Sequence, residues 1–387
     1  MSQRQIRQTR AAKAREGTAL MRGLLLGEDG FSAQFLSLMF ETFGLHELPR
    51  AKVVCKHLRD AANEVEDQWE ILGPPMIVKV QGGLVQPLCV EVLPDSQVAI
   101  GSYNAPSPVR PPSMGLTLLN MQSGRKRSLC PYGTSPGESY VVSSVAYDHD
   151  GEHLIIADRL GHRVQKLKLA DGAFVAEHVF AAKSRVENLV FVEGNKLLYV
   201  VVNPSGGGRT AYVAVLDPQT LARKGSFGAG MLFGPRCIDE YGGLLYIADS
   251  GTCYDGYDIL RRDQGAGVAV FTVAGDFVRF IPLNRRGQLL DFQPAGLVIT
   301  EVGREPRLIV CGNRVEPGRT TRSDVGEVQV LTLEGSLRDY NIRPNVKMFG
   351  GMSVSTDEDG NDRLFLVHRG SSLSTSSGQL FVIPLIS

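Results

Sequence analysis

Closely spaced carboxylates occur twice in the chain in the order that begins a calcium-binding loop. The segments are DHDG at Asp148–Gly151 and DEDG at Asp357–Gly360. A calcium loop of this kind needs a bidentate Glu at its last position, and that position holds Arg159 after the first segment and His368 after the second. We therefore interpret both segments as hairpin turns, for which Asp-Gly is a strong signal.

Other motifs of catalysis or ligand binding are missing from the sequence. No G-x-S-x-G or H-E-x-x-H pattern occurs, and the glycine run Ser205–Gly208 lacks the following helix and Lys of a phosphate loop. The cysteines are scattered without a C-x-x-C pair, so we expect free buried thiols of a reducing compartment. They are Cys55, Cys89, Cys130, Cys237, Cys253 and Cys311. We predict no catalytic residue, no metal and no cofactor.

Charge and hydropathy narrow the class of protein. The chain has 387 residues with 41 basic and 41 acidic side chains, so no global field attracts nucleic acid or a membrane surface. No apolar run is long enough to span a bilayer. Residues 1–30 form a basic segment, which we interpret as a disordered tail, with an organelle transit peptide as the alternative. We expect a cytoplasmic or nuclear protein without nucleic-acid or membrane partners.

A helical zone over residues 31–72 precedes the rest of the chain. Phe35, Leu36, Met39, Phe40 and Phe43 share one face of a helix, and Val54, Leu58, Ala61 and Val65 share one face of a second helix. Residues 73–75, Gly-Pro-Pro, end the zone as a linker. So few residues make a very small core, which predicts support from the following domain or from a partner.

Residues 76–387 are predicted to form repeated four-stranded units. The clearest unit, Val142–Phe180, has strands at Val145–Tyr147, Leu154–Ala157, Val164–Leu169 and near Phe174–Phe180, separated by glycine-containing turns. Six such units occur, and their first strands contain the anchor residues Val90, Val145, Leu189, Ile238, Leu297 and Val354. This spacing predicts a mainly β fold, a six-bladed β-propeller of antiparallel blades. We expect residues 76–80 to supply the fourth strand of the last blade and so close the ring.

The unit Val142–Phe180 also resembles the NHL repeat. The matching features are Asp148, Asp150-Gly151, Ala157-Asp158, the segment Gly161–Gln165 (GHRVQ) and Asp171-Gly172. A second unit keeps residues 245–251 (LYIADSG) and 274–276 (AGD). We expect the repeated Asp158 and Asp249 to accept hydrogen bonds from the backbone of their own turns.

The helical zone resembles an F-box in the order of apolar helix, short link, V-C-K-x-x-R-x-x-A and late Trp. This resemblance implies a short helical element that docks on the Skp-type adaptor of a cullin-based SCF ubiquitin ligase. The usual opening L-P is replaced by Gly30-Phe31-Ser32, and Leu58 stands where Trp is common. The resemblance implies adaptor contacts at Phe35, Leu36, Met39, Phe40, Leu45, Leu48, Val53, Val54, Cys55, Leu58 and Trp69.

Three long segments between predicted strands are candidates for substrate binding. They span residues 104–114, 252–267 and 313–326. Tyr and Arg are enriched in binding hot spots, and these segments supply Arg110, Tyr254, Tyr257, Arg261, Arg262, Arg314, Arg319 and Arg322. Acids interleaved with them argue against a nucleic-acid footprint. We expect a protein substrate or degron peptide here and, through the adaptor, a cullin.

Two alternatives remain open at this point. The first is a calcium-dependent propeller enzyme, since some six-bladed propellers, such as gluconolactonase-like lactonases, hold a divalent ion on the axis. By their position at strand ends, the candidate calcium ligands in this chain would be Glu91, Asn203 and Asp249. The other alternative is a non-catalytic scaffold propeller whose helical zone is a cap packed on the strands.

Overall fold

The described part of the chain is built from strands. The computed structural model describes residues 72, 76–78, 80, 84, 86–103, 115–148, 150–204, 210–255, 258–261, 265–283, 291–302, 305–315, 326–343, 349–356, 362–368 and 378–385. The chain divides into two compact units, residues 1–72 and residues 73–387. Within the described ranges, no helix is long and apolar enough to cross a membrane.

Six four-stranded antiparallel sheets follow one another along the second unit. Blade 1 contains β2 (Pro87–Leu93), β3 (Gln97–Ser102), β4 (Leu116–Asn120) and β5 (Lys126–Cys130). Blade 2 contains β6 (Val142–Asp148), β7 (His153–Asp158), β8 (Arg163–Lys168) and β9 (Phe174–Val179). Blade 3 contains β10 (Ser184–Val192), β11 (Leu197–Pro204), β12 (Ala211–Leu216) and β13 (Arg223–Leu232).

The other three blades repeat this order with two variations. Blade 4 contains β14 (Pro235–Tyr241), β15 (Leu244–Asp249), β18 (Gly267–Thr272) and β19 (Phe277–Pro282), with a hairpin of β16 (Thr252–Asp255) and β17 (Asp258–Arg261) between its second and third strands. Blade 5 contains β20 (Asp291–Val302), β21 (Glu305–Val315), β22 (Gly326–Thr332) and β23 (Leu337–Arg343). Blade 6 contains β24 (Phe349–Thr356), β25 (Asp362–His368), β26 (Gln379–Pro384) and, from the other end of the domain, β1 (Met76–Ile77). The fold is therefore the predicted six-bladed β-propeller.

The ring closes by pairing the first strand of the domain with the last. Met76 and Ile77 pair with Val382 and Phe381, and the Val78 N–H donates to the Leu380 carbonyl at 2.9 Å. The predicted closing strand is confirmed, although its regular part is shorter than residues 76–80. Pairing both ends of the domain gives blade 6 the same four strands as its neighbours and covers the edge of β26 that would otherwise be unpaired.

The hydrophobic core lies between neighbouring blades. Ile155 and Val164 of blade 2 pack in one cluster with Leu198 and Val200 of blade 3, and equivalent clusters join blades 1 and 2, 3 and 4, 4 and 5, and 6 and 1. Since a second strand is covered on both faces, residues 198–202 are an unbroken apolar run with no exposure. Outer strands face solvent, and β9 is largely exposed. Each fully buried aliphatic side chain contributes about 1.5–3 kcal/mol relative to exposure.

The first strand of every blade carries a β-bulge near its beginning. The pairing with the second strand shifts between Pro87 and Cys89 in blade 1, and at equivalent places in the other five blades. A bulge leaves one residue unpaired and turns its side chain away from the regular alternation. The bulged residues are Leu88, Ser143, Glu187, Arg236, Ala295 and the pair Gly350 and Gly351.

One segment predicted as a loop forms regular structure. The backbone of residues 252–261 is an antiparallel hairpin in which Asp255 pairs with Asp258 across its tip. The Asp255-Gly256 dipeptide is the hairpin signal that the loop interpretation overlooked. The segment DHDG is confirmed as part of a hairpin connection because Asp148 pairs with His153, whereas the tip DEDG lies outside the described residues.

A buried ion pair within blade 2 also hydrogen-bonds blade 3. The Lys166 ammonium donates to the Asp148 carboxylate at 2.9 Å, and both side chains are about 1% exposed. The same ammonium donates to the Pro218 carbonyl and to Gln219 Oε1, each at 3.1 Å. Every N–H donor of this cation therefore has a partner on one of two blades, which offsets part of the cost of burying it.

We predict that Lys166→Met lowers the free energy of unfolding by about 3–5 kcal/mol, because it leaves the Asp148 carboxylate buried without its counter-ion. Lys196→Met is the matched control. Lys196 also forms ion pairs, with Asp150 and Glu193, but these side chains are at least half exposed. We expect its loss to cost no more than about 1 kcal/mol. Urea unfolding of both variants measures the difference, and equal effects would contradict the prediction.

Candidate functional site

A cavity of about 400 Å³ lies on the axis of the propeller. The first strands of all six blades line it, because these strands are innermost in the ring. All six anchor residues of the sequence repeat are among the residues that line this cavity: Val90, Val145, Leu189, Ile238, Leu297 and Val354. The positions that repeat in the sequence therefore coincide with residues of the cavity wall.

Polar side chains on the first strands hydrogen-bond the backbone of the next blade. The pattern occurs at four junctions between described strands and runs around the ring in one direction. The Leu189 N–H donates to Ser144 Oγ (3.3 Å), the Ile238 N–H to Asn188 Oδ1 (3.2 Å), the Ile299 N–H to Asp239 Oδ2 (2.7 Å) and the Val92 N–H to Ser353 Oγ (3.3 Å). At the junction of blades 1 and 2 the Tyr147 backbone hydrogen-bonds the Glu91 carboxyl group.

Glu91 places a carboxyl group in the cavity wall. The pKa of this group is raised from 4.5 to about 8, mainly by burial and also by the charge of Asp239, while hydrogen bonds from Ser353 and the Tyr147 backbone offset part of the rise. Ser353 Oγ donates to Glu91 Oε2 at 3.3 Å. The group consequently holds its proton at neutral pH, although the Glu91 residue keeps some surface along the cavity.

Asp239 supplies a second carboxyl group to the same cavity. Burial raises its pKa to about 7, and the backbone hydrogen bonds of Ile299 and Glu240 lower it. These N–H groups lie 2.7 Å from Oδ2 and 2.9 Å from Oδ1 respectively. Each oxygen of Asp239 thus already accepts a hydrogen bond from the backbone, so the residue positions blades 4 and 5.

The three residues implied as calcium ligands do not share one site. Glu91 lines the axial cavity, but Asn203 and Asp249 do not. The physical reason is that Asn203 and Asp249 lie on β11 and β15, which are second strands and stand one layer away from the axis. Within the described ranges, no three His, Cys, Asp or Glu side chains are arranged to hold a metal ion.

Asp249 instead stabilises the turn at the end of its own strand, as the sequence predicted. It accepts hydrogen bonds from the N–H groups of Phe233 (2.8 Å), Gly234 (2.9 Å) and Gly251 (2.8 Å). Gly251 has a φ of 65°, and a Cβ there would meet the Gly265 carbonyl oxygen at 2.3 Å. Only glycine fits this turn without strain.

Asp158 has the equivalent role in blade 2. Its Oδ1 accepts from the N–H groups of Tyr140 (3.2 Å), Val141 (3.1 Å) and Gly161 (3.1 Å). Burial raises its pKa, whereas these backbone bonds and the nearby Arg163 lower it. The prediction of backbone-bonded aspartates is therefore confirmed at both positions.

The GHRVQ segment fastens the connection that precedes blade 2. The Arg163 guanidinium donates to the carbonyls of Ser135 (3.1 Å) and Glu138 (2.8 Å), and it pairs with Asp158 and Glu177. Gln165 donates to the Glu138 carbonyl at 2.7 Å and accepts the Gly137 N–H at 2.9 Å. The residues that resemble the NHL repeat are thus structural in this blade.

A cluster that the sequence analysis missed joins residues of blades 2, 3 and 4. Glu187, the bulged residue of β10, contacts Arg236, the bulged residue of β14, at 3.1 Å and Arg159 at 3.1 Å. The Asn203 amide donates to Glu187 Oε1 at 3.5 Å and to the Pro235 carbonyl at 2.8 Å. We call these four residues the Glu187 cluster. The repeated bulge position was the signal for it, visible only once strand pairing was known.

The predicted binding residues fall mostly outside the described structure. All eleven predicted adaptor contacts, between Phe35 and Trp69, lie outside it, as do Arg110, Tyr257, Arg262, Arg319 and Arg322. The backbones of Tyr254, Arg261 and Arg314 are described and lie on β16, β17 and β21. Four predicted buried thiols, Cys89, Cys130, Cys237 and Cys311, are free and buried, while Cys55 and the Cys253 side chain lie outside the description.

Comparisons with known proteins bear on the fold. No family model and no curated protein sequence matches the chain. The structure is similar to regucalcin from Agrobacterium tumefaciens, described as a calcium-binding protein, with 13% identity, a TM-score of 0.54 and coverage of 80% of this chain and 94% of that one. It is also similar to a luciferin-regenerating enzyme, with 10% identity, a TM-score of 0.52 and coverage of 80% and 95%. At such identities the likeness shows the shared fold alone.

We predict that Glu91→Gln makes unfolding less dependent on pH. The folded chain keeps the Glu91 proton up to about pH 8, whereas the unfolded chain releases it near the ordinary pKa of 4.5. The wild type therefore loses stability as the pH rises through this window. Gln mimics the protonated form, so the variant should match the wild type at acidic pH and exceed it by roughly 1–3 kcal/mol at pH 8.

Glu187→Gln is the control, because we expect it to change the stability at neutral pH in the opposite direction. Burial raises the pKa of Glu187, but the charges of Arg236 and Arg159 outweigh burial and hold the pKa below its usual value. This variant should be less stable than the wild type at neutral pH, with the difference shrinking as the pH falls through the folded-state pKa. Urea unfolding across the pH range measures both variants, and parallel curves for Glu91→Gln and the wild type would refute the assignment.

Proposed function

We propose that the chain is a non-catalytic substrate-recognition subunit of an SCF-type ubiquitin ligase. The observation that carries the proposal is the order of two parts: an F-box-like segment over residues 31–72, directly followed by a closed six-bladed propeller. The first part would dock on a Skp-type adaptor, and the propeller would hold a protein substrate. Such a receptor makes no bonds; it raises the concentration of substrate near the ubiquitin-loaded enzyme.

The geometry of the propeller supports a binding role. The polar side chains of the axial cavity mainly join one blade to the next, as Asp239 and Ser353 do. The predicted substrate-binding segments connect β3 to β4, β15 to β18, and β21 to β22. Each joins a second strand to a third strand, so all three begin and end on the same face of the ring. Long connections on one face of a rigid scaffold are a common arrangement for recognition.

We predict that a purified Skp-type adaptor co-purifies with the full chain and not with a chain that begins at Pro75. In the full chain, Val54→Asp should abolish capture, because a charge on the predicted apolar face opposes burial against the adaptor. Glu64→Gln, a polar change in the same segment, should leave capture unchanged. The melting midpoint of each variant reports whether the propeller is still folded. Failure of the full chain to capture the adaptor would remove the main support for the proposal.

A calcium-dependent lactonase or esterase is the second candidate, favoured by one specific observation. Glu91 and Asp239 both line the axial cavity, and the charge of Asp239 raises the pKa of Glu91. Carboxylates around a cavity are the donors that calcium prefers. Calcium binding would compete with the proton on Glu91, so it would be strongest at alkaline pH.

Calcium titration discriminates between the two candidates. For the substrate receptor, we expect the melting midpoints in millimolar calcium and in excess chelator to agree within about 1 °C, since a ligand stabilises only a state that binds it. A rise with calcium that is lost in Glu91→Gln, and kept in the exposed control Glu152→Gln, would favour the enzyme. Asp249→Ala is unsuitable here, because Asp249 holds its own turn.

A further inference from the structure

Every blade contributes a polar residue to the wall of the axial cavity. The lining residues come from the middle and the later part of the six first strands. Taken one from each blade in order, these polar residues are Glu91, Ser144, Asn188, Asp239, Thr300 and Ser353. The cavity volume of about 400 Å³ lies within the range of small-ligand pockets, about 300–1,000 Å³. The cavity is therefore large enough for an organic group.

Two of these residues carry carboxyl groups and lie on opposite sides of the ring. The first strands pack against one another in chain order, and the first strand of blade 6 packs on that of blade 1. Glu91 belongs to blade 1 and Asp239 to blade 4, so three steps around the ring separate them in either direction. The charge of Asp239 nevertheless raises the pKa of Glu91. The two carboxyl groups are therefore within electrostatic reach of each other across the axis.

The cavity wall supplies no positive charge to balance these carboxyl groups. Among the described residues, those that line the cavity include no Lys, Arg or His. The pKa of Glu91 is raised to about 8 and that of Asp239 to about 7, mainly by burial. Both groups thus keep protons in a pH range where ordinary carboxyl groups have lost them. A cation between them would displace these protons, because attraction between opposite charges is strong where water is scarce.

The carboxyl groups are held in place and can still accept further hydrogen bonds. Each oxygen of Asp239 accepts one backbone N–H, and Glu91 accepts bonds from Ser353 Oγ and the Tyr147 backbone. An ionised carboxylate offers about four lone-pair sites. The neighbouring blades therefore orient both groups as supporting residues orient a binding site, and each group has capacity left for a ligand.

The cavity extends to an exposed residue at the end of β10. Glu193 directly follows that strand and lines the cavity, and its side chain is 54% exposed. A ligand can therefore enter where first strands lead to second strands. The three predicted substrate-binding segments join second strands to third strands and so lie on the opposite face. The cavity is a site separate from them.

We propose that the axial cavity binds an organic cation, an ammonium or guanidinium group held between Glu91 and Asp239. Such a group carries several N–H donors, which match acceptors placed on opposite walls. A metal ion fits less well, because within the described ranges no three His, Cys, Asp or Glu side chains are arranged to hold one. The inference goes beyond the proposed ligase function and does not depend on the F-box-like segment.

Calorimetric titration of the full chain with two cationic probes tests the proposal. One probe is agmatine, a free small molecule with an ammonium and a guanidinium group. The other is a pentapeptide with one Arg between glycines and with both termini blocked. The same peptide with citrulline, a neutral isostere, in place of Arg is the matched control.

We expect at least one cationic probe to bind with a dissociation constant of about 1 mM or less, and the citrulline peptide not to bind. Binding of agmatine alone would identify a free amine as the ligand, whereas binding of the Arg peptide alone would identify a basic side chain of a partner protein. Failure of both cationic probes, or equal binding of the Arg and citrulline peptides, would overturn the proposal.

The affinity for the cationic probe should rise with pH. The probe stays charged, whereas Glu91 and Asp239 must lose their protons to bind it, so the dissociation constant should fall at least about tenfold between about pH 6 and pH 9. Burial raises the pKa of Cys89 to about 12 and also raises that of Tyr147, so these lining residues do not cause the change. Glu193 is already exposed to solvent. An affinity that does not depend on pH would contradict the assignment.

Glu91→Gln removes one of the two charges and keeps the shape of the side chain. We expect this variant to bind the probe at least about tenfold more weakly at pH 8. Glu152→Gln is the control, because Glu152 is an exposed carboxylate that does not line the cavity, and it should change the affinity less than about twofold. A Glu91→Gln variant that is folded, by its melting curve, and binds as tightly as the wild type would overturn the proposal.

Separate readouts distinguish this inference from the proposed functions. A chain that captures the adaptor but binds neither cationic probe overturns the cavity inference alone, and a chain that binds a probe but captures no adaptor leaves that inference standing. Calcium that displaces the bound probe, and raises the melting midpoint of the wild type but not of Glu91→Gln, would assign the cavity to a metal ion and so overturn the inference.

Discussion

The propeller depends on contacts between blades, because no single four-stranded sheet can bury both of its faces. Apolar residues such as Val200 fill the space between two sheets. Near the axis, a polar side chain on one first strand hydrogen-bonds the backbone of the next, as Asp239 does with Ile299. The pairing of Met76 with Val382 then completes the ring with the same antiparallel geometry. Directed polar contacts at the axis fix the register between blades, which apolar packing alone specifies only loosely.

This use of polar residues shapes the axial cavity. Its carboxyl groups, on Glu91 and Asp239, are buried and hydrogen-bonded, and burial raises the pKa of both. Carboxyl groups join neighbouring blades here, whereas the same groups in another propeller can bind a metal ion. The same fold can therefore carry enzymes and binding proteins, and function must be argued from the individual side chains.

The bulges connect the fold to the polar contacts between blades. A bulge occurs at the same place in each first strand and interrupts the regular alternation of its side chains. In blades 3 and 4 these side chains are Glu187 and Arg236, which form an ion pair, while Arg159 joins from blade 2.

The sequence by itself determined the number of blades, the closing strand and the role of Asp158 and Asp249, because repeated strand and turn patterns are local properties of the chain. It also located the six anchor residues on the first strands of the blades. Only the tertiary structure decided which polar residues meet. Glu91 and Asn203 both stand near strand ends, yet one lies on a first strand and the other on a second strand, so they belong to different layers. Contacts such as that between Glu187 and Arg236 join residues far apart in sequence, and their formation requires strand pairing, bulge position and blade packing together.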